Sequence, residues 1–87
     1  MTYKLEETKT ATNDFKKIKS MSPAVKKRLT TIISELENHP FTGIGSPEQL
    51  KHNQLWSREL TKKDRIVYSV EGTMITIYQY LGHYTDK

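Results

Sequence analysis

Apolar residues recur along this chain first with a helical period and later with the period of a strand. From about Thr8 to Ser20, the residues Ala11, Phe15 and Ile18 fall at helical spacing while Lys16, Lys17 and Lys19 point elsewhere, which predicts a first helix. Ser22 and Pro23 announce a second: serine caps free amide groups, and proline tolerates the first helical position. Val25, Leu29, Ile32, Ile33 and Leu36 draw one stripe along it, and His39-Pro40 ends it after about Asn38. Ahead of both helices, Thr2 to Glu6 carries only Tyr3 and Leu5 as apolar signals and reads as a short edge strand.

Phe41 to Pro47, with Gly43, Gly45 and Pro47, marks a loop that delivers Glu48 to Lys51. Three strands follow over Leu55 to Leu60, Arg65 to Glu71 and Met74 to Leu81, separated by the turn residues Thr61 to Asp64 and Glu71-Gly72. They are expected to form an antiparallel meander. Alternation places Ile66, Tyr68 and Val70 against the helices and leaves Arg65, Val67 and Ser69 on the opposite face. The expectation is an α+β fold: a strand, then two helices packed on one face of a small antiparallel sheet, with the other face free for a ligand. No repeat, low-complexity run or linker divides the chain, so residues 1–87 are expected to form one domain, too small for a large enclosed substrate cavity.

Composition narrows the chemistry. Lys and Arg number 14 against 10 for Asp and Glu, a formal charge of +4, which fits a polyanionic partner as well as it fits a merely solvated surface. The absence of cysteine removes disulfides, thiolate nucleophiles and cysteine-type zinc sites. His39, His52 and His83 lack the spacing of a helical metal pair, and the acidic residues form no two-metal nuclease cluster, so neither metal nor cofactor is expected. Gly43 and Gly45 lack the Lys-Ser/Thr ending and following helix of a phosphate-binding loop. No apolar stretch is long enough for a signal peptide or a membrane span, so a cytoplasmic location with no membrane partner is the default expectation.

Cutting RNA without a metal needs a base for the 2′-hydroxyl proton, a cation for the phosphorane-like transition state and an acid for the departing 5′-oxygen. Glu48, Arg65 and His83 provide one group of each kind, with Tyr84 beside the histidine. Each also has a plainer reading. A glutamate after proline is ordinarily a solvated turn residue, an arginine beside Lys62-Lys63-Asp64 ordinarily a weak surface ion pair, and a histidine near a terminus ordinarily exposed and idle. Tyr78, Tyr80 and Tyr84 offer stacking faces for unpaired bases or packing for strands, and Trp56 reads as core packing. The helical groups Lys16-Lys17-Lys19 and Lys26-Lys27-Arg28 are solvated faces or a track for a phosphate backbone.

The run Pro40-Phe41-Thr42-Gly43-Ile44-Gly45-Ser46-Pro47-Glu48-Gln49-Leu50-Lys51-His52-Asn53, followed by Trp56-Ser57-Arg58, Arg65-Ile66-Val67-Tyr68 and His83-Tyr84, resembles the YoeB toxins of the wider RelE group. The resemblance implies a RelE-like fold and the toxin of a type II toxin–antitoxin pair that enters the ribosomal A site and cuts messenger RNA there. It also implies a homodimer, a YefM-like antitoxin whose C-terminal segment wraps the toxin, and contact with operator DNA only through that complex. Carried over by position, Glu48 becomes the general base, Arg65 the transition-state arginine, His83 the general acid and Tyr84 the residue that orients substrate. Lys51 becomes a lysine near the scissile phosphate, and His52 and Arg58 become RNA contacts. Two departures stand out. Many YoeB toxins follow Trp-Ser with two arginines, whereas Arg58 precedes Glu59 here, and Thr85-Asp86-Lys87 follow the His-Tyr pair with which the family commonly ends. Beside the nuclease stand a module that binds RNA or ribosome without cutting, and a regulatory, antitoxin-binding relative that has lost its toxicity; fold alone does not establish activity.

Overall fold

The computed structural model of the protein describes residues 2–50 and 55–82. Its elements are β1 (Lys4–Glu7), α1 (Lys9–Ile18), α2 (Pro23–Asn38), β2 (Glu48–Gln49), β3 (Trp56–Glu59), β4 (Arg65–Glu71) and β5 (Met74–Gln79). Both helices start where a hydroxyl accepts a bond from a free amide: Thr8 from the Ala11 N–H, and Ser22 from the Val25 N–H with Pro23 in the first turn. α2 stops at His39, whose N–H still reaches the Glu35 carbonyl while its backbone leaves the helical region.

The described strands form one five-stranded sheet in the order β1-β5-β4-β3-β2. From β5 to β2 the pairing is antiparallel, as the meander predicts. β1 departs from the all-antiparallel expectation because it lies parallel to β5, with Lys4 opposite Met74 and Glu7 opposite Ile77. It is an edge strand, but pairing between the two ends of the chain leaves no local sequence signal, so its direction was not legible. β2 also goes beyond the expected loop: two residues, Glu48 and Gln49, ladder onto Ser57 and Trp56.

Both helices cover the same sheet face, where Ala11, Ile18, Leu29, Ile32 and Leu36 meet Leu60, Ile66, Tyr68, Ile75, Ile77 and Tyr80. Trp56 packs half-buried against this core, with the Phe41 ring 4.9 Å away, in keeping with its packing role. α1 also carries a buried carboxylate. Asp14 accepts the Tyr80 N–H at 3.1 Å and the Leu81 N–H at 3.3 Å, which fastens the helix to the end of β5. The buried Tyr80 hydroxyl donates to the Glu7 carboxylate of β1.

Burial, with the bond to Glu7 and its negative charge, pushes the Tyr80 phenol well above its ordinary value of 10.0. The folded state therefore keeps a proton that the unfolded chain releases. This contribution to stability is complete below about pH 10 and is lost as pH rises above it. Urea titrations at about pH 9 and pH 11 should show a smaller alkaline loss of stability in Tyr80→Phe than in the parent. Equal losses would disprove the linkage.

Candidate active site

Strand alternation assembles one cluster on the sheet face away from the helices. Glu48 lies opposite Ser57, Ser57 opposite Val67, and Glu59 opposite Arg65, so these five side chains share that face. The Arg65 Nε donates to the Ser57 Oγ at 3.1 Å, which fixes the plane of the guanidinium. Its Nη2 stands 3.8 Å from a Glu48 carboxylate oxygen, close enough for an ion pair and too far for a hydrogen bond. That Nη2 is shielded from solvent and has no hydrogen-bond partner among the described residues. The Glu48 side chain is 69% exposed and that of Arg65 27%. A carboxylate and a cation are thus side by side, the first largely exposed and the second partly so, and the cation keeps an unmatched donor on its shielded side. Buried donors are rarely left unmatched, and a bidentate anion such as a phosphodiester matches this one.

The backbone that leads towards His83 is bonded to the same strand. The Gly82 N–H donates to Asp64 Oδ1 at 2.8 Å, and the Gly82 carbonyl accepts the Arg65 N–H at 2.9 Å. The Gln79 amide donates to the Arg65 carbonyl at 3.1 Å and to the Gly82 carbonyl at 3.3 Å. His83 and Tyr84 lie outside the described residues, as do Lys51, His52 and Asn53.

Arg58 corrects a sequence expectation. Its side chain is 0% exposed, so it cannot contact RNA from its position in the fold. It lies on the helix side of β3, opposite Ile66. Nη1 donates to Glu35 Oε1 at 2.6 Å and to the Ile44 carbonyl at 3.3 Å; Nη2 donates to the carbonyls of His39 at 3.1 Å and Thr42 at 2.6 Å. Nε reaches the Tyr68 hydroxyl at 3.4 Å, and that hydroxyl donates to the Pro40 carbonyl at 2.6 Å. Burial raises the Tyr68 pKa, with Arg58 opposing the rise. The signal was in the sequence: Trp56 reads as packing, and the residue two further along a strand shares its face. By the same rule Glu59 sits on the open face, opposite Arg65 in the ladder. The bond of Ser57 to Arg65 and the role of Glu35 are not legible in the sequence, because a serine and a helical glutamate carry no pattern of their own.

Among the described residues no three His, Cys, Asp or Glu side chains are grouped to hold a metal ion. No described helix is long and apolar enough to cross a membrane.

A family model for YoeB-like toxins of bacterial type II toxin–antitoxin systems matches residues 7–84, a span that includes Glu48, Arg65, His83 and Tyr84. This chain is a YoeB-like toxin. It is 40% identical over 60 residues to the YoeB toxin of Escherichia coli O6:H1, covering 67% of this chain and 71% of the relative, and 36% identical over 62 residues to that of Streptomyces coelicolor, covering 69% and 74%. Among solved structures it is similar to a YoeB/ParE toxin from Agrobacterium tumefaciens, with a TM-score of 0.83 and 28% identity over 93% of this chain and 99% of the other. It is also similar to the YoeB dimer of Staphylococcus aureus, with a TM-score of 0.82 and 26% identity over 97% and 100%. The fold is accordingly the RelE-like α+β arrangement of these YoeB toxins.

The two arginines of this YoeB-like chain should respond differently to truncation. Arg58→Ala strands the Glu35 carboxylate and several carbonyls, and should destabilise the fold by about 3–5 kcal/mol. Arg65→Ala removes a half-exposed ion pair and should change stability by less than about 1 kcal/mol. Urea unfolding of both variants checks the contrast; equal costs would contradict it.

Proposed function

We propose that this toxin is an endoribonuclease that enters the ribosomal A site and cuts messenger RNA without a metal. The observation that carries the reading is the Glu48–Arg65 pair, a largely exposed carboxylate 3.8 Å from a guanidinium nitrogen that has no hydrogen-bond partner among the described residues. A scissile phosphate that enters between the two groups takes over the Arg65 donors and leaves the Glu48 carboxylate free to act as base. Glu48 removes the 2′-hydroxyl proton, and the 2′-oxygen attacks phosphorus. Arg65 stabilises the negative charge of the phosphorane-like transition state. His83 gives a proton to the 5′-oxygen as its bond to phosphorus breaks, and the products are a 2′,3′-cyclic phosphate and a 5′-hydroxyl. Tyr84 orients the substrate, and Lys51 and His52 contact the RNA nearby.

A shallow site suits a substrate presented by the ribosome, because an open sheet face needs its target held in place by something else. Gly82 supports the assignment of His83 as acid, since its N–H and carbonyl are bonded to Asp64 and Arg65 one residue before the histidine. The partner we propose is a YefM-like antitoxin, on the similarity to a heterotetrameric YoeB–YefM toxin–antitoxin complex from Staphylococcus aureus, with a TM-score of 0.80 and 26% identity. The toxin itself is a cytoplasmic single-domain protein that pairs as a homodimer when free, and it reaches operator DNA only through the antitoxin.

On a pre-bound ribosome–messenger complex, Glu48→Ala and His83→Ala should each slow single-turnover cleavage by about 10²–10⁴-fold, and the parent rate should follow a bell-shaped pH profile. A Glu48→Ala/His83→Ala double variant that cuts like the parent would refute the assignment.

One observation favours a second reading, a regulatory, antitoxin-binding relative that has lost its toxicity. Glu59 is exposed beside Arg65, where a negative charge opposes a polyanion. If that repulsion only weakens binding, Glu59→Arg should lower the toxin concentration for half-maximal cleavage by roughly threefold or more, with a steeper dependence on salt. Induced expression of the parent that leaves the growth of its host unchanged would decide for the second reading.

A further inference from the structure

The catalytic reading leaves the largest buried polar cluster unused. The loop between α2 and β2 folds around the Arg58 guanidinium, whose Nη1 and Nη2 hold the carbonyls of His39, Thr42 and Ile44. Glu35 of α2 closes the cluster, since the same Oε1 accepts Arg58 Nη1 at 2.6 Å and the Ile44 N–H at 3.0 Å. The loop makes this wrap with Gly43 at φ +127° and Gly45 at φ +84°. A Cβ on Gly43 would lie 2.0 Å from Glu35 Oε1 and 2.9 Å from Arg58 Nη1. The Gly45 carbonyl accepts the Glu59 N–H at 2.7 Å, and three residues later Glu48 ladders onto Ser57. Arg58 and Glu48 therefore belong to adjoining strands but opposite sheet faces, and the loop joins the two environments.

We infer that Arg58, held by Glu35, is a positioning residue: by gathering the 39–44 carbonyls it sets where the loop delivers the Glu48 carboxylate against Arg65. This rests on the proposal that Glu48 is the general base. The base must reach a 2′-hydroxyl held by the ribosome, so a small displacement of the loop is enough to spoil the proton transfer while ribosome binding goes on. The clamp acts from the dry side of the sheet, with the Arg58 side chain closed to solvent.

Lysine keeps the charge of Arg58 but not the planar fork, and cannot serve the same set of acceptors. Gly43→Ala forces the Glu35–Arg58 clamp apart while leaving Arg58, Glu35 and Glu48 chemically intact. Arg58→Lys and Gly43→Ala are to be assayed with the parent and Glu48→Ala by single-turnover cleavage of a pre-bound ribosome–messenger complex, with thermal unfolding recorded for each. The variants that fold should cut about 10- to 100-fold more slowly at saturating toxin, with the half-saturating concentration unchanged within about twofold. In the Glu48→Ala background, the same substitutions should change the residual rate by less than about twofold, because their effect passes through that carboxylate. A clamp that matters only for general stability predicts otherwise: losses that multiply with that of Glu48→Ala, or a weakened half-saturation. Either result overturns the inference, as does parent-like cutting by a folded Arg58→Lys or Gly43→Ala beside a dead Glu48→Ala. Undiminished cutting by Glu48→Ala would instead remove the base assignment itself, and the inference with it.

Discussion

Burying the Arg58 guanidinium without leaving a donor unmatched is the constraint that organises this fold. A guanidinium has five N–H groups in a rigid fork, and taking it out of water costs several kcal/mol unless each finds an acceptor. Here the acceptors are the Glu35 carboxylate, the Tyr68 hydroxyl and the carbonyls of His39, Thr42 and Ile44. These come from a helix, a strand and a loop that no hydrophobic contact alone would hold in register. The loop takes its shape from the charge inside it. That shape requires Gly43, where a side chain would collide with the clamp, and brings Gly45 against the backbone of Glu59.

Arg65, one strand away, is the converse case. It faces outward, is steadied at Nε by Ser57, and ends in a nitrogen for which the described residues offer no hydrogen bond. Two arginines on neighbouring strands thus differ: one has its donors matched by the protein, and the other keeps a donor unmatched among the described residues. Their difference follows from strand parity alone, because Arg58 is opposite Ile66 and Arg65 opposite Glu59.

Parity also explains what could be read from the sequence. The two helices, their caps, the three later strands and the face carrying Arg65 and Val67 all follow from local period and turn chemistry, which act over a few residues. The parallel pairing of β1 with β5 and the two-residue β2 do not, since they depend on segments that meet only after the chain has folded. Arg58 was misread because a family motif treats neighbouring residues as one surface, whereas a strand sends alternate residues to opposite sides. Asp14, Glu35 and Gln79 were invisible for another reason. Their partners are backbone groups or a distant side chain, and no spacing in the chain encodes such bonds.

Glu59 has a consequence for how the open face handles charge. Glu48 and Glu59 flank Arg65 across the sheet, one near the guanidinium through Ser57 and the other directly opposite in the ladder. With two carboxylates on the same face as one partly exposed cation, Glu48 and Glu59 offset the charge of Arg65 locally, despite the chain's overall +4. Several of the lysines that make the protein basic are on the helices, on the far side of the sheet, where Lys16, Lys17, Lys19, Lys26 and Lys27 are exposed, while Lys62 and Lys63 are exposed in the turn that leads into Arg65. Screening at physiological salt confines each charge to about 8 Å, so the helical lysines contribute little to the field at Arg65. The helical surface carries much of the positive charge, whereas the open sheet face sets one guanidinium beside the Glu48 carboxylate.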